Sequence, residues 1–408
     1  MRPSGSQAHR SSGSAARGWR LIALGVGAVV VLALTTGAVL GAMSSSGPGP
    51  IAAVSPDPSA MPTDQVGIGV PSAMPSATPS ATTSATAPTS SPSLATTGTA
   101  PTTAPVTAGP FAGDLMIADR QNGRILIVDQ ARNIRWKFPV AGSLPAGQAF
   151  AADDAFLSPD GKTIVANEEM RQVIVRIDIA TRRIVWEYGR YGVAGSGPGE
   201  LNTPDDAYPL ANGDVVVADI GNCRIIQINH AKHITRQWGT TGVCRDNAPR
   251  SYGSPNGDTP LPDGGLLITE IKGSRVVRLD KAGHVVFDIH VPTKYPSDAH
   301  LDAKGNILVV DYSNPGAILR LDVHGHVLWR YAPRSGIGRL DHPSLAIDLT
   351  SGLVAVNDDF RHRVLIIDPK TNRIVWQYGH TDANGRAKGY LFTPDGIDQI
   401  PPAIAATL

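Results

Sequence analysis

From Phe111 onward the apolar residues come in runs of about five, such as "DVVVAD" and "RIIQI", broken every few positions by Gly, Asp, Asn or Pro. No stretch keeps the 3.6-residue apolar period of an amphipathic helix, so the pattern predicts an all-β domain of short strands. The pattern also repeats. "PDDAYPLANGDVVVAD" from Pro204 aligns with "ADDAFLSPDGKTIVAN" from Ala152, "PNGDTPLPDGGLLITE" from Pro255, "PSDAHLDAKGNILVVD" from Pro296 and "PSLAIDLTSGLVAVND" from Pro343. A sixth copy is split: "GDLMIAD" at Gly113 lacks the preceding segment, and "TPDGIDQIPP" near the C-terminus lacks the continuation. The third position of each copy falls at Asp154, Asp206, Gly257, Asp298, Leu345 and Gly396, spaced by 52, 51, 41, 47 and 51 residues. Four strands within a period of about 40 to 50 residues describe a propeller blade. The expectation is a six-bladed β-propeller of four-stranded blades over residues 111–402, with a C-terminal tail at 403–408. The split copy closes the ring by pairing N- and C-terminal strands, so that no blade keeps an open edge.

Two further columns recur. An acid stands five residues before an arginine in four copies, Asp119 with Arg124, Asp219 with Arg224, Glu270 with Arg275 and Asp358 with Arg363. A carboxylate–guanidinium bond at each place would fix the turn between two strands. Trp136, Trp186, Phe287, Trp329 and Trp376 share one position of the outer strand, where large aromatics would pack blade on blade.

The first 110 residues follow a different pattern. Residues 1–20 carry Arg2, Arg10, Arg17 and Arg20 and no acid, and residues 21–43 carry no charge at all. As a helix those 23 residues would be about 34 Å long, enough to cross a bilayer. The arginines on its N-terminal side predict a cytoplasmic tail at 1–20, an uncleaved single-pass anchor at 21–43 and an extracytoplasmic propeller. A cleaved secretory signal is the rival reading. Residues 44–110 consist almost wholly of Ser, Thr, Pro, Ala and Gly, which predicts a disordered linker, since such a composition buries too little to form a core.

Four arginines and two aspartates lie in those first 110 residues, which leaves 32 Lys and Arg against 33 Asp and Glu in the rest. That balance provides no footprint for nucleic acid. The two cysteines, Cys223 and Cys244, sit in a domain placed outside the cytoplasm and are expected to form a disulfide.

The segment "YGRYGVAGSGPGELNTPDDA…GDVVVADIGNCRI" resembles NHL repeats, and "DIATRRIVW" and "DPKTNRIVW" look like the repeats of pyrroloquinoline-quinone-type and arylsulfotransferase-type propellers. Both resemblances imply the propeller fold. NHL repeats usually carry Gly-Ile after the proline, where this chain has Asp-Ala or Asp-Asp-Ala. Some NHL-type propellers are lyases with histidine-bound zinc on the axis, and here only His300 stands near the corresponding strand.

The start of each copy should lie nearest the central channel. Asp154, Asp206 and Asp298 would then converge at one mouth, with His300 within the channel and His342 beside them, and Tyr208 and Thr259 lining the same region. Three carboxylates suit a hard divalent cation, calcium above all, or an acid–base pair. The plainer alternative is that each accepts hydrogen bonds from backbone N–H groups. Asp205 reads as a turn acceptor. No nucleophile elbow, phosphate loop, HExxH helix or Cys/His metal spacing occurs. The functional expectation is therefore a monomeric, membrane-tethered module that binds or senses an extracytoplasmic protein, peptide, glycan or small ligand. A lyase-, sulfotransferase- or hydrolase-type enzyme using the axial carboxylates is the alternative.

Overall fold

The computed structural model describes residues 109–408. The expected cytoplasmic tail, anchor and nearly all of the linker lie outside the described residues. Among the described residues no helix is long and apolar enough to cross a membrane.

Six four-stranded antiparallel sheets follow one another around a ring. In blades 2 to 6 the chain enters at the inner strand and leaves at the outer one. The inner strands are Ala155–Leu157, Pro204–Pro209, Pro255–Pro260, Pro296–Leu301 and Ala346–Asp348. Blade 1 is built from both ends of the domain: Pro394–Ile400 pairs with Asp114–Asp119 in the register Leu115 with Gln399, Met116 with Asp398 and Ile117 with Ile397. The expected closure is thus present. The last residues differ from a plain tail. Pro402–Ala405 form a short helix, Ala405 is buried, and Ile404 lies over Gly161 of blade 2.

Second strands such as Asp114–Asp119 and Val215–Asp219 are buried along their whole length, because both faces of a blade are covered by neighbours. Outer strands alternate: in Ile134–Phe138 only Trp136 and Phe138 are buried, the signature of one wet face. The tryptophan column does pack blade on blade, and each indole N–H also reaches the next blade. Trp136 donates to Ile179 O, Trp186 to His230 O and Trp376 to Gln130 O, each at 2.9 Å. Blade 3 has arginine in this column. Arg236 lies over Trp238 and donates to Lys281 O at 3.0 Å, which replaces the indole bond.

The acid–arginine pairs form at 2.6 Å (Asp119–Arg124), 2.7 Å (Asp219–Arg224) and 2.8 Å (Asp358–Arg363), whereas Glu270–Arg275 is stretched to 3.6 Å. The column is wider than those four. Asp119, Glu168, Asp219, Glu270, Asp311 and Asp358, one per blade, each accept a backbone N–H from the turn leading to an inner strand, at 2.6 to 2.9 Å. The expected disulfide joins Cys223 to Cys244, tying the end of the blade 3 turn, where Cys223 sits with a positive φ of 55°, to the loop before blade 4.

Candidate functional site

The site is created by an irregularity shared by the inner strands. In blade 3 the pairing with the second strand jumps between Asp205 and Ala207, leaving Asp206 as an extra residue with φ of 31°. Equivalent jumps occur in blades 1, 4 and 5. In blades 2 and 6 the regular strand starts only after this point. Side chains replace the missing ladder bonds: Asn167 accepts from Asp154 N, Thr269 from Gly257 N and Asn357 from Leu345 N. A bulge breaks the alternation of side chains across a strand. Consecutive residues can then face the axis together.

Near the upper mouth, where the turns after the second strands gather, this brings Asp153, Asp154 and Asp205 into one group. One oxygen from each lies within 4.8 Å of the other two. Arg120, from the turn after the second strand of blade 1, bonds Asp153 at 2.6 Å, Asp395 at 2.7 Å and Glu169 at 2.5 Å. Burial, followed by repulsion from Glu169 and Asp395, pushes the Asp205 carboxyl up to about 8. Burial and neighbouring carboxylates likewise push Asp153, Asp154 and Asp206 well above the usual carboxylate range. Burial works in the same direction on Asp395 and is the largest single effect there, but Arg120 and hydrogen bonds to Asp153 and Ser344 together outweigh it and hold that group below its ordinary value. The far side of the mouth is aromatic. Tyr295 packs on Tyr312 at 5.2 Å, and His342 stands 4.8 Å from Tyr312 and 4.6 Å from Phe360.

Deeper in the channel lies a second group. Asp298 bonds His300 Nε2 at 2.8 Å and accepts from Ala299 N at 2.7 Å and Thr259 Oγ1 at 3.3 Å, while the Tyr208 hydroxyl stands 3.4 Å from it. Although burial opposes charge on His300, the Asp298 carboxylate holds its pKa above the ordinary histidine value. Gly257 makes room for this. A Cβ there would stand 2.6 Å from Asp298 Oδ1 and 3.2 Å from Asp206 Oδ2. Asp258 is fully buried and neither of its oxygens has a partner, and burial with the nearby Asp298 charge pushes its pKa well up.

Asp154, Asp206, Asp298, His300, Tyr208 and Thr259 therefore lie around the axis at two depths. Asp206 stands between the two, its carboxyl raised by burial and by the charges of both Asp298 and Asp154, and Asp298 is grouped with His300. His342 lies apart at the rim, its Nδ1 2.7 Å from Asp341. The group with ligand spacing is Asp153, Asp154 and Asp205, so Asp205 is a channel residue in an inner strand and not a turn acceptor. Sequence reading missed Asp153, Asp395, Arg120 and Glu169. The second position of each copy, which holds Asp153, Asp205 and Asp395, was the available signal.

A family model described as outer membrane protein assembly factor BamB, a PQQ-like repeat, matches residues 235–392. The chain resembles PQQ-like propellers. The match spans blades 4 to 6 and the end of blade 3 and leaves the acidic half of the mouth outside it. No curated protein matches the chain. Among solved structures, a protein of unknown function from Bacteroides caccae is 16% identical, with 70% of this chain and 98% of that one aligned and a TM-score of 0.50. A nidogen/laminin complex gives 14% identity, 70% and 97% coverage and a TM-score of 0.50. Virginiamycin B lyase from Staphylococcus aureus gives 16%, 56%, 69% and 0.41. Likeness at these identities concerns the fold.

Proposed function

We propose that this chain is a membrane-anchored, extracytoplasmic binding or sensing module that takes a ligand bearing a positive group at the upper mouth of its propeller. One observation carries this reading: the mouth is lined on one side by buried carboxylates and on the other by aromatic rings, a pairing that suits a cation. Phe360 is 48% exposed on the blade 6 turn and Met170 is 72% exposed on the blade 2 turn, beside Glu169, so apolar surface is available around the charge. The uncharged stretch at residues 21–43, preceded by four arginines, is what supports membrane anchorage in this reading. The finer likeness to NHL and arylsulfotransferase-type repeats belongs to the same reading.

Calorimetric titration of the full-length chain with a hexalysine peptide and with a hexaglutamate peptide tests it. Hexalysine should bind, Tyr312→Ala should weaken that binding several-fold, and hexaglutamate should not bind. Equal response to both peptides, or to neither, would overturn the proposal.

The deeper Asp298–His300 pair supports a second reading, an enzyme. A histidine whose pKa is raised by a carboxylate 2.8 Å away, with the Tyr208 hydroxyl 3.4 Å from that same carboxylate, could act as a general acid. In that case a turnover assay would lose activity with His300→Ala and keep it with Tyr312→Ala.

A further inference from the structure

Seven carboxyl groups gather at or just below the upper mouth: Asp153, Asp154, Asp205, Asp206, Asp359, Asp395 and Glu169. A single guanidinium, Arg120, is bonded to three of them, Asp153, Asp395 and Glu169. The other four have no cation bonded to them among the described residues. Asp206 adds an independent observation. It is 3% exposed, and its Oδ2 has no hydrogen-bond partner and lies by Gly257 and Asp298, just beneath the group, while within the group Asp153 is also 3% exposed and its Oδ1, though 2.6 Å from Arg120, accepts no hydrogen bond. A buried polar atom in a folded protein ordinarily has a partner, so an unpaired carboxylate oxygen beside this group marks a place for a positively charged one.

We infer that Asp153, Asp154 and Asp205 bind a divalent cation of the calcium type, with Asp206 completing the acidic wall beneath it. This rests on the reading of the mouth as a binding site and names the class of its positive group. The distances fit the ion. Calcium–oxygen bonds of about 2.3 to 2.6 Å place oxygens on opposite sides of the ion at most about 5 Å apart, and the three carboxylate oxygens lie within 4.8 Å of one another. The ligand chemistry fits as well, because hard carboxylate oxygens without histidine or thiolate select a hard cation. Three carboxylates leave part of a six- to eight-oxygen shell open toward the mouth. That opening lies next to Tyr295, whose hydroxyl is bonded to Asn256 Oδ1 at 3.1 Å, and there a ligand's oxygens could complete the shell. Arg120 holds Asp153 in place from the side, so the site is braced before the ion arrives.

The full-length chain, stripped with chelator and titrated with calcium chloride by calorimetry, tests the inference. Binding of about one ion per chain is expected, together with a raised midpoint of thermal unfolding. Asp205→Asn and Asp154→Asn should each weaken binding by a factor on the order of ten or more, while Asp398→Asn, near the opposite end of the inner strand, should leave it unchanged. If one mouth variant fails to fold, the other still locates the ion. Should calcium, magnesium and manganese all fail to bind while hexalysine does, the metal site is wrong and the cation-binding mouth stands. Should neither ions nor hexalysine bind, both readings fall. Unchanged calcium affinity in Asp205→Asn and Asp154→Asn would place any ion elsewhere and overturn this assignment.

Discussion

Glu270 shows how the same motif can differ in chemistry from blade to blade. In its counterparts Asp219 and Asp358 the arginine five residues on bonds the carboxylate at 2.7 and 2.8 Å. Here Arg275 stands 3.6 Å away and hydrogen-bonds Asp288, leaving Glu270 Oε2 without a partner. Burial raises all three carboxyls, Asp358 to about 6 despite its arginine, and the Glu270 carboxyl is pushed up to about 7 from 4.5. A raised acid stabilises the fold fully below its unfolded pKa and loses that contribution as pH rises through the folded one. Wild type should lose on the order of 2 to 3 kcal/mol relative to Glu270→Gln between pH 4.5 and about 7.5. Denaturant melts of both proteins at pH 4.5, 6 and 8 would show it, and a constant difference would sink the idea. Gly257 offers a steric test. Gly257→Ala puts a methyl group against Asp298 and Asp206, so a loss of about 1 to 3 kcal/mol is expected from overpacking, measurable in the same melts. A neutral substitution would mean that the two carboxylates are free to move apart.

Among the elements, the outer strands act as clamps between blades. Trp136 is 2% exposed and donates to Ile179 of the next blade. Trp136→Ala should cost about 3 to 5 kcal/mol. Trp136→Phe keeps the packing and loses the hydrogen bond, so it should cost only about 1 kcal/mol. If calorimetry gave equal losses for both, the bond and not the ring would be the clamp. The disulfide between Cys223 and Cys244, 21 residues apart, restrains the loop before blade 4. The double replacement Cys223→Ser, Cys244→Ser should lower stability by roughly 3 kcal/mol on the loop-closure estimate. Non-reducing electrophoresis should show a mobility shift in the wild type alone upon reduction.

For the whole molecule the decisive contact is the pairing of Pro394–Ile400 with Asp114–Asp119. It joins parts of the chain that lie nearly three hundred residues apart, so the ring gains its last interfaces only when the rest is in place. Removing residues 394–408 exposes the inner edge of Asp114–Asp119 and strips Asp395 from Arg120. Soluble yield should collapse, with the remainder eluting as aggregate in size-exclusion chromatography. A truncated chain that stays monomeric and melts at the wild-type temperature would show that closure is dispensable.

The repeat in the sequence determined the blade number, the strand order within a blade, the closing strand and the tryptophan and acid–arginine columns. Each of these follows from apolar spacing and from residues that recur at a fixed offset, which are local properties of the chain. The disulfide was legible for a related reason: two cysteines allow only one pairing. The channel chemistry was legible only in part. Asp154, Asp206 and Asp298 were visible as a column, yet which carboxylates meet depends on the bulge that turns Asp153 with Asp154, and Asp205 with Asp206, toward one axis. The bulge recurs at the second and third positions of the copies, but apolar spacing does not reveal it, because it is a jump in pairing between two strands. Arg120 comes from the turn of the neighbouring blade 1, and its meeting with Asp153 and Glu169 of blade 2 depends on how six sheets are arranged around a ring. Strand alternation told the residues where to point within a blade, and only the closed ring decided which of them would share a charge.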